Sequence, residues 1–286
     1  MDITRRQFAA LVCALAVPLP RGAWADEGNA LFWDATRADR SITIFGYERI
    51  NAQIVPDIVS DGDRISDEAS SVYTDFSPNV ALQTLSVDRK QLSPVLPELS
   101  STDADDLRRM ITAVGGPPLE RLSGFEVSLF LMGEGQHRPV PSVGGVITDH
   151  VRSGGKQLSP LISDAELRSI WHPLDTAAVK SVGAHQVSYL LEKRKQLGPI
   201  GGYLETLYQQ RRAPEIMTLT AEIAQKGVVD PLRSLGGEQI KSLLLAQILK
   251  IDSVKNFILL PLGTLAGDDG ILQMMRSNGF EIRSLA

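Results

Sequence analysis

A single cysteine, Cys13, is all the thiol chemistry in these 286 residues, and it lies within the apolar run of residues 9–17. That run follows Thr4-Arg5-Arg6-Gln7-Phe8, a paired arginine with a phenylalanine just after it, which predicts a twin-arginine export signal. Ala23-Trp24-Ala25 offers the small residues of a signal-peptidase site, so the mature chain is expected to start at Asp26. Cys13 follows Val12, without the small residue that a lipoprotein site places before its cysteine, and is expected to be removed with the signal. A mature chain without cysteine has no disulfide, thiolate metal site or cysteine nucleophile, although the compartment it enters permits disulfides. Its stability then has to come from a core.

Long apolar runs are missing too. Residues 9–17 are too few to cross a bilayer as a helix, and Pro18 and Pro20 break them, which argues against a permanent membrane anchor, so a periplasmic or secreted protein is expected. Positive charge is in deficit. The formal net charge is −5, and loss of residues 1–25, with three arginines and one aspartate, takes it to −7. Such a chain is a poor partner for nucleic acid or anionic lipid. No Gly-x-Ser-x-Gly elbow occurs. Gly263, Gly267 and Gly270 loosely outline a phosphate cradle, but Asp268 and Asp269 would repel phosphate there.

What is present is an apolar fraction of 43%, enough for a core in about 260 residues. Ile42-Thr43-Ile44-Phe45-Gly46-Tyr47-Glu48-Arg49 predicts a buried strand in which Gly46 turns the chain, with Tyr47, Glu48 and Arg49 just past its end, where open α/β sheets place their sites. Leu31 to Thr36 and a turn at 37–40 predict a hairpin feeding that strand. Ser71-Val72-Tyr73-Thr74-Asp75-Phe76 predicts a second strand, with Asp75 at the same edge.

Helices are predicted from Ser101-Thr102-Asp103 to Gly115-Gly116 and from Ser163-Asp164-Ala165-Glu166, a capping box, to His172-Pro173. Between them residues 133–155 predict a loop rich in glycine and proline, carrying His137 and His150 without helical metal-ligand spacing. A long helix is expected from Asp175 to Gly198-Pro199, with His185 on its surface, and then a short strand over 200–206 that ends in Glu205. Helices near 215–226 and 237–250, a strand at 256–260, a loop at 261–270, a helix at 271–277 and a strand at 280–285 complete the chain. This alternation predicts an α/β fold with a central mixed sheet flanked by helices, one domain over 26–286 with a helical insertion or cap over about 100–175.

The order of Leu31-Phe32-Trp33, a strand ending at Gly46, Leu204-Glu205-Thr206 with Gln210 after it, and a closing strand, glycine-rich loop, helix and strand resembles the TraB/GumN family, related to the Tiki metalloproteases and to the erythromycin-esterase-like fold. The resemblance implies a metal and catalytic set of two Gly-x-x-His motifs and the glutamate. Here the motifs read Gly46-Tyr47-Glu48-Arg49 and Pro261-Leu262-Gly263-Thr264, with arginine and threonine in place of both histidines, and Glu205 alone is kept. Arginine stays protonated and repels a divalent cation, and threonine is a weak neutral ligand. The expectation is therefore an exported family member with a degenerate metal-hydrolase site, no cofactor, and a protein or peptide ligand bound near Gly46, Arg49, Gln210, Gly263 and Thr264. A peptidase-like hydrolase working through Glu48, Asp75 and Glu205, or through a rearranged metal site, stands as the alternative, and an unrelated exported scaffold as a third. Arg49 is expected to fill the place of the metal by pairing with Glu205 or Asp75.

Overall fold

The computed structural model describes residues 30–76, 92–137, 141–170, 180–227, 237–252, 254–265 and 270–285. The predicted export signal at residues 1–25 lies outside them, as do His172-Pro173, the predicted helix start at Asp175, and Gly267, Asp268 and Asp269.

The chain opens with β1 (Phe32–Arg37), β2 (Arg40–Tyr47), α1 (Pro56–Glu68) and β3 (Ser71–Phe76). Three helices follow, α2 (Ser101–Ala113), α3 (Gly124–Gly133) and α4 (Val143–Ser153), before β4 (Leu158–Ile162). The next helices are α5 (Asp164–Ile170), α6 (Ala184–Leu197), α7 (Ile200–Gln209), α8 (Ala213–Gln225) and α9 (Gly237–Ile248). The chain closes with β5 (Lys255–Pro261), α10 (Leu262–Leu265), α11 (Ile271–Ser277) and β6 (Glu281–Leu285). The fold is mixed α/β, with one six-stranded sheet in the order β4-β3-β5-β2-β1-β6.

β2, β3, β4 and β5 run parallel, while β1 is antiparallel to both β2 and β6. The expected hairpin is present, turning at Ala38 and Asp39 between the register partners Arg37 and Arg40. Placing β5 between β2 and β3 brings the carboxyl ends of β2 and β3 near one another, on either side of Leu259 to Pro261. Apolar residues on those strands make the core. Phe32 and Phe45 are register partners whose rings stack at 4.6 Å, and Phe257 continues the row at 6.5 Å from Phe45. Burying each such ring contributes roughly 1.5–3 kcal/mol, and each aromatic pair about 0.5–1.5 kcal/mol more.

A second apolar cluster forms away from the sheet, mostly among helices. It joins Leu107 and Ile111 of α2, Val127 and Leu131 of α3, Val187, Leu190 and Leu191 of α6, Ile200 of α7, and Leu219 and Ile223 of α8. α7 belongs to both clusters, because Leu207 and Tyr208 enter the sheet core and Tyr203 and Leu204 touch each side. The helix carrying Glu205 is thus the bridge between the two.

Four local expectations are corrected. Residues 200–206 form the start of α7, not a strand. Gly201 explains why, since a Cβ there would lie 2.7 Å from the carbonyl oxygen of Met132 and 2.9 Å from that of Glu134. The glycine pair serves a close helix approach to the end of α3. The predicted loop at 133–155 contains α4, begun by Ser142, whose Oγ accepts from the Gly145 amide, and His150 lies on that helix against Asp67, at 3.0 Å. The segment 100–175 is not helical throughout, because β4 adds an edge strand to the sheet; Pro160, which has no N–H to donate, is tolerated at such an edge. The loop at 261–270 opens with the single turn α10.

Candidate functional site

The site is built at the carboxyl end of β2. Gly46 does not turn the chain: it is a strand residue paired with Leu260, and a Cβ on it would fall 2.6 Å from Leu262 and 3.0 Å from both Leu265 and Trp33. The glycine lets α10 and the Trp33 ring close over the strand. Tyr47, one residue on, points its hydroxyl at the end of β3 and donates to Asp75 Oδ2 at 3.0 Å. Asp75 is 3% exposed. Burial pushes the Tyr47 phenol well above its ordinary range, and the Asp75 carboxylate beside it adds to the rise, so the hydroxyl remains a donor. Tyr208 of α7 donates to the Gly46 carbonyl at 3.3 Å, and its phenol is raised by burial first and by the Glu48 charge second.

Glu205 reaches the same edge from α7. Its carboxylate accepts from the His137 backbone N–H at 3.0 Å and faces His137 Nδ1 at 3.0 and 3.1 Å. The Glu205 side chain is 4% exposed and that of His137 64%, so a buried carboxylate holds one edge of an imidazole whose remainder lies in solvent. The loop before His137 is fixed on three sides. Glu134 forms a two-pronged pair with Arg194 at 2.5 and 2.7 Å, its carbonyl accepts from the Gly202 amide at 2.9 Å, and Gln136 Nε2 donates to the Arg49 carbonyl at 2.8 Å. That last bond ties the His137 loop to the turn after β2.

The expected ion pair of Arg49 is not made. Arg49 is exposed and has no carboxylate within ion-pair reach among the described residues, because Glu205 is already held by His137. Glu48, half-buried, sits near enough to raise the phenols of Tyr47 and Tyr208. Thr264 Oγ1 donates to the Pro261 carbonyl at 2.8 Å, and Gly263 lies beside it in α10. Gln210 caps the end of α7, exposed, with its oxygen taken by Arg212 at 3.1 Å. Gly46, Tyr47, Glu48 and Asp75 thus share the edge, the Gln136–Arg49 bond ties the Glu205–His137 pair to it, and Gln210 stands at the end of α7.

These groups do not fit the divalent metal that the family resemblance implies. Asp75 and Glu205 already have protein donors, Thr264 is turned to a carbonyl, Arg49 is cationic, and no three His, Cys, Asp or Glu side chains among the described residues are grouped to hold an ion. His137 and the Tyr47–Asp75 bond are the features that sequence reasoning missed. His137 is 68 residues from Glu205, and no local spacing relates them. Tyr47 at a strand end was legible as a site position but its partner was not.

A further concavity lies on the face of the sheet that α1 covers. It is a groove of about 510 Å³ between α1 and the faces of β1, β2, β5 and β6. Among the described residues no helix is long and apolar enough to cross a membrane. No family model matches the sequence, and neither a curated protein nor a solved structure matches it.

Proposed function

We propose that this is an exported, TraB/GumN-like protein that uses the carboxyl edge of its sheet to bind a protein or peptide ligand, with the metal chemistry of such a fold given up. One observation carries the reading. Of the three carboxylates Glu48, Asp75 and Glu205, two are bound by the chain's own donors, Asp75 by the Tyr47 hydroxyl and Glu205 by His137. A carboxylate so held is charge-satisfied without a cation, and it stiffens the edge rather than waiting for a metal. A photo-crosslinking residue at position 49 in the exported chain is expected to give a discrete adduct, and one at the exposed position 114 on the helical side none. No adduct from 49, or equal adducts from both, contradicts the proposal.

A second reading, a metal-free hydrolase, is favoured by the Glu205–His137 contact itself. A buried carboxylate that fixes Nδ1 leaves the other ring nitrogen to act as a general base toward water. Hydrolysis of an activated ester that disappears in Glu205→Gln, with crosslinking at 49 unchanged, selects it over binding alone.

A further inference from the structure

The groove of about 510 Å³ is lined by side chains whose charges mostly cancel. On its α1 wall Arg64 pairs with Glu68 at 3.2 Å, and Arg211 pairs with Asp61 at 2.5 Å. Across β6, Arg283 is held by Glu281 at 2.6 Å. Two charges on the groove make no direct ion pair among the described residues. Asp34, half-buried in the middle of β1, accepts one hydrogen bond, from Ser41 Oγ at 2.9 Å, and lies opposite Arg283 on β6, whose charge it favours without a direct ion pair. Lys255, exposed at the start of β5, has none either.

The sheet register sets the two on one face. Asp34 is opposite Thr43, Ser41 is opposite Lys255, and Ser41 and Thr43 are two residues apart on β2. Lys255 is therefore two strands over and two residues along from Asp34, about 12 Å between Cα atoms at ordinary strand spacing and rise. Both residues line the groove, and the gap between them suits a small molecule that carries both signs of charge. The hydroxyls of Ser41 and Thr43 share that face and line the groove. Ser41 spends its proton on Asp34, so its oxygen lone pairs stay available to a donor.

We propose that this groove is a second binding site that takes a small zwitterion of the α-amino-acid type, its ammonium on Asp34 and the Ser41 and Thr43 oxygens, its carboxylate on Lys255. The volume lies in the ordinary range of small-ligand sites. The site is separate from the carboxyl edge and does not depend on that edge's function.

The test is an NMR titration of the whole mature chain with each of the twenty free L-amino acids, and with the same amino acids N-acetylated and C-amidated. The expected result is saturable shifts of Ser41, Thr43 and Asn256 with at least one free amino acid, absent with its capped form. Binding should weaken about tenfold or more in Asp34→Asn and in Lys255→Gln, about 1.4 kcal/mol. Asparagine keeps an acceptor for Ser41, so the hairpin is retained, and a native-like spectrum of each variant checks this. Saturation by none of the twenty, equal binding of capped and free forms, or unchanged affinity in either variant overturns the proposal.

Discussion

Separating His137 from Glu205 tests the geometry of the carboxyl edge at its firmest point. His137→Ala leaves a carboxylate with a 4% exposed side chain holding one donor, the backbone N–H of residue 137, in place of two. Hydrogen bonds to a charged group are worth about 1.5–3 kcal/mol. The imidazole is 64% exposed, and water competes for its side of the contact, which brings the expected loss to about 1–2 kcal/mol. Glu205→Ala removes the carboxylate and returns the histidine to water, so the double variant should lose less than the two single losses added together. Equilibrium urea unfolding of the four proteins gives the coupling directly, and about 1 kcal/mol or more is expected. A coupling within about 0.3 kcal/mol of zero, the level of independent sites, would refute the contact as a stabilising one.

Three further outcomes follow from other parts of the fold. Gly201→Ala places a methyl against the backbone of residues 132–134, so denaturant unfolding should show a loss of roughly 1–3 kcal/mol, and an unchanged midpoint would mean that α7 does not sit that tightly on α3. Ala38 turns the β1–β2 hairpin at φ 55°, where glycine is favoured; Ala38→Gly should raise stability by a few tenths to about 1 kcal/mol in the same assay, and a loss would contradict the assigned strain. Burial alone would raise the Glu222 carboxyl, but hydrogen bonds from Lys193 and Tyr189 outweigh it and hold the folded value below the ordinary one. Its contribution is therefore complete above the ordinary glutamate range and lost as pH falls through the lowered value, so the stabilities of the native chain and Glu222→Gln should differ near neutrality and converge in acid; a difference that widens in acid would reverse the sign.

Much of the sheet was legible because its strands combine β-branched and aromatic residues with clear turn signals. Residues 71–76 and 271–277 form the elements their sequences predict, and Ser163 and Glu166 close the expected capping box at 2.7–3.2 Å. β4 was hidden by Pro160, which speaks against a central strand but is harmless on an edge. α4 was hidden by Gly144-Gly145, whose low helix propensity is offset by the Ser142 cap and by burial of Val143, Ile147 and Val151. The glycines at 201 and 202 read as a break, while in the fold they permit contact between helices. At the site, Gly46, Glu48 and Asp75 were legible as edge residues because strand ends mark them, whereas Glu205, expected at a strand end, lies in α7. Their bonding was not, since His137 and Tyr47 find their carboxylates through tertiary packing that no spacing encodes.

The central claim is that the chain's own donors occupy the carboxylates where the resemblance implies a metal. Isothermal titration of the purified protein with manganese, zinc and cobalt, paired with metal analysis of the protein as isolated, addresses it most directly. The account predicts sub-stoichiometric metal and no saturable uptake in the native chain. Stoichiometric metal that is lost in Glu205→Gln would contradict it.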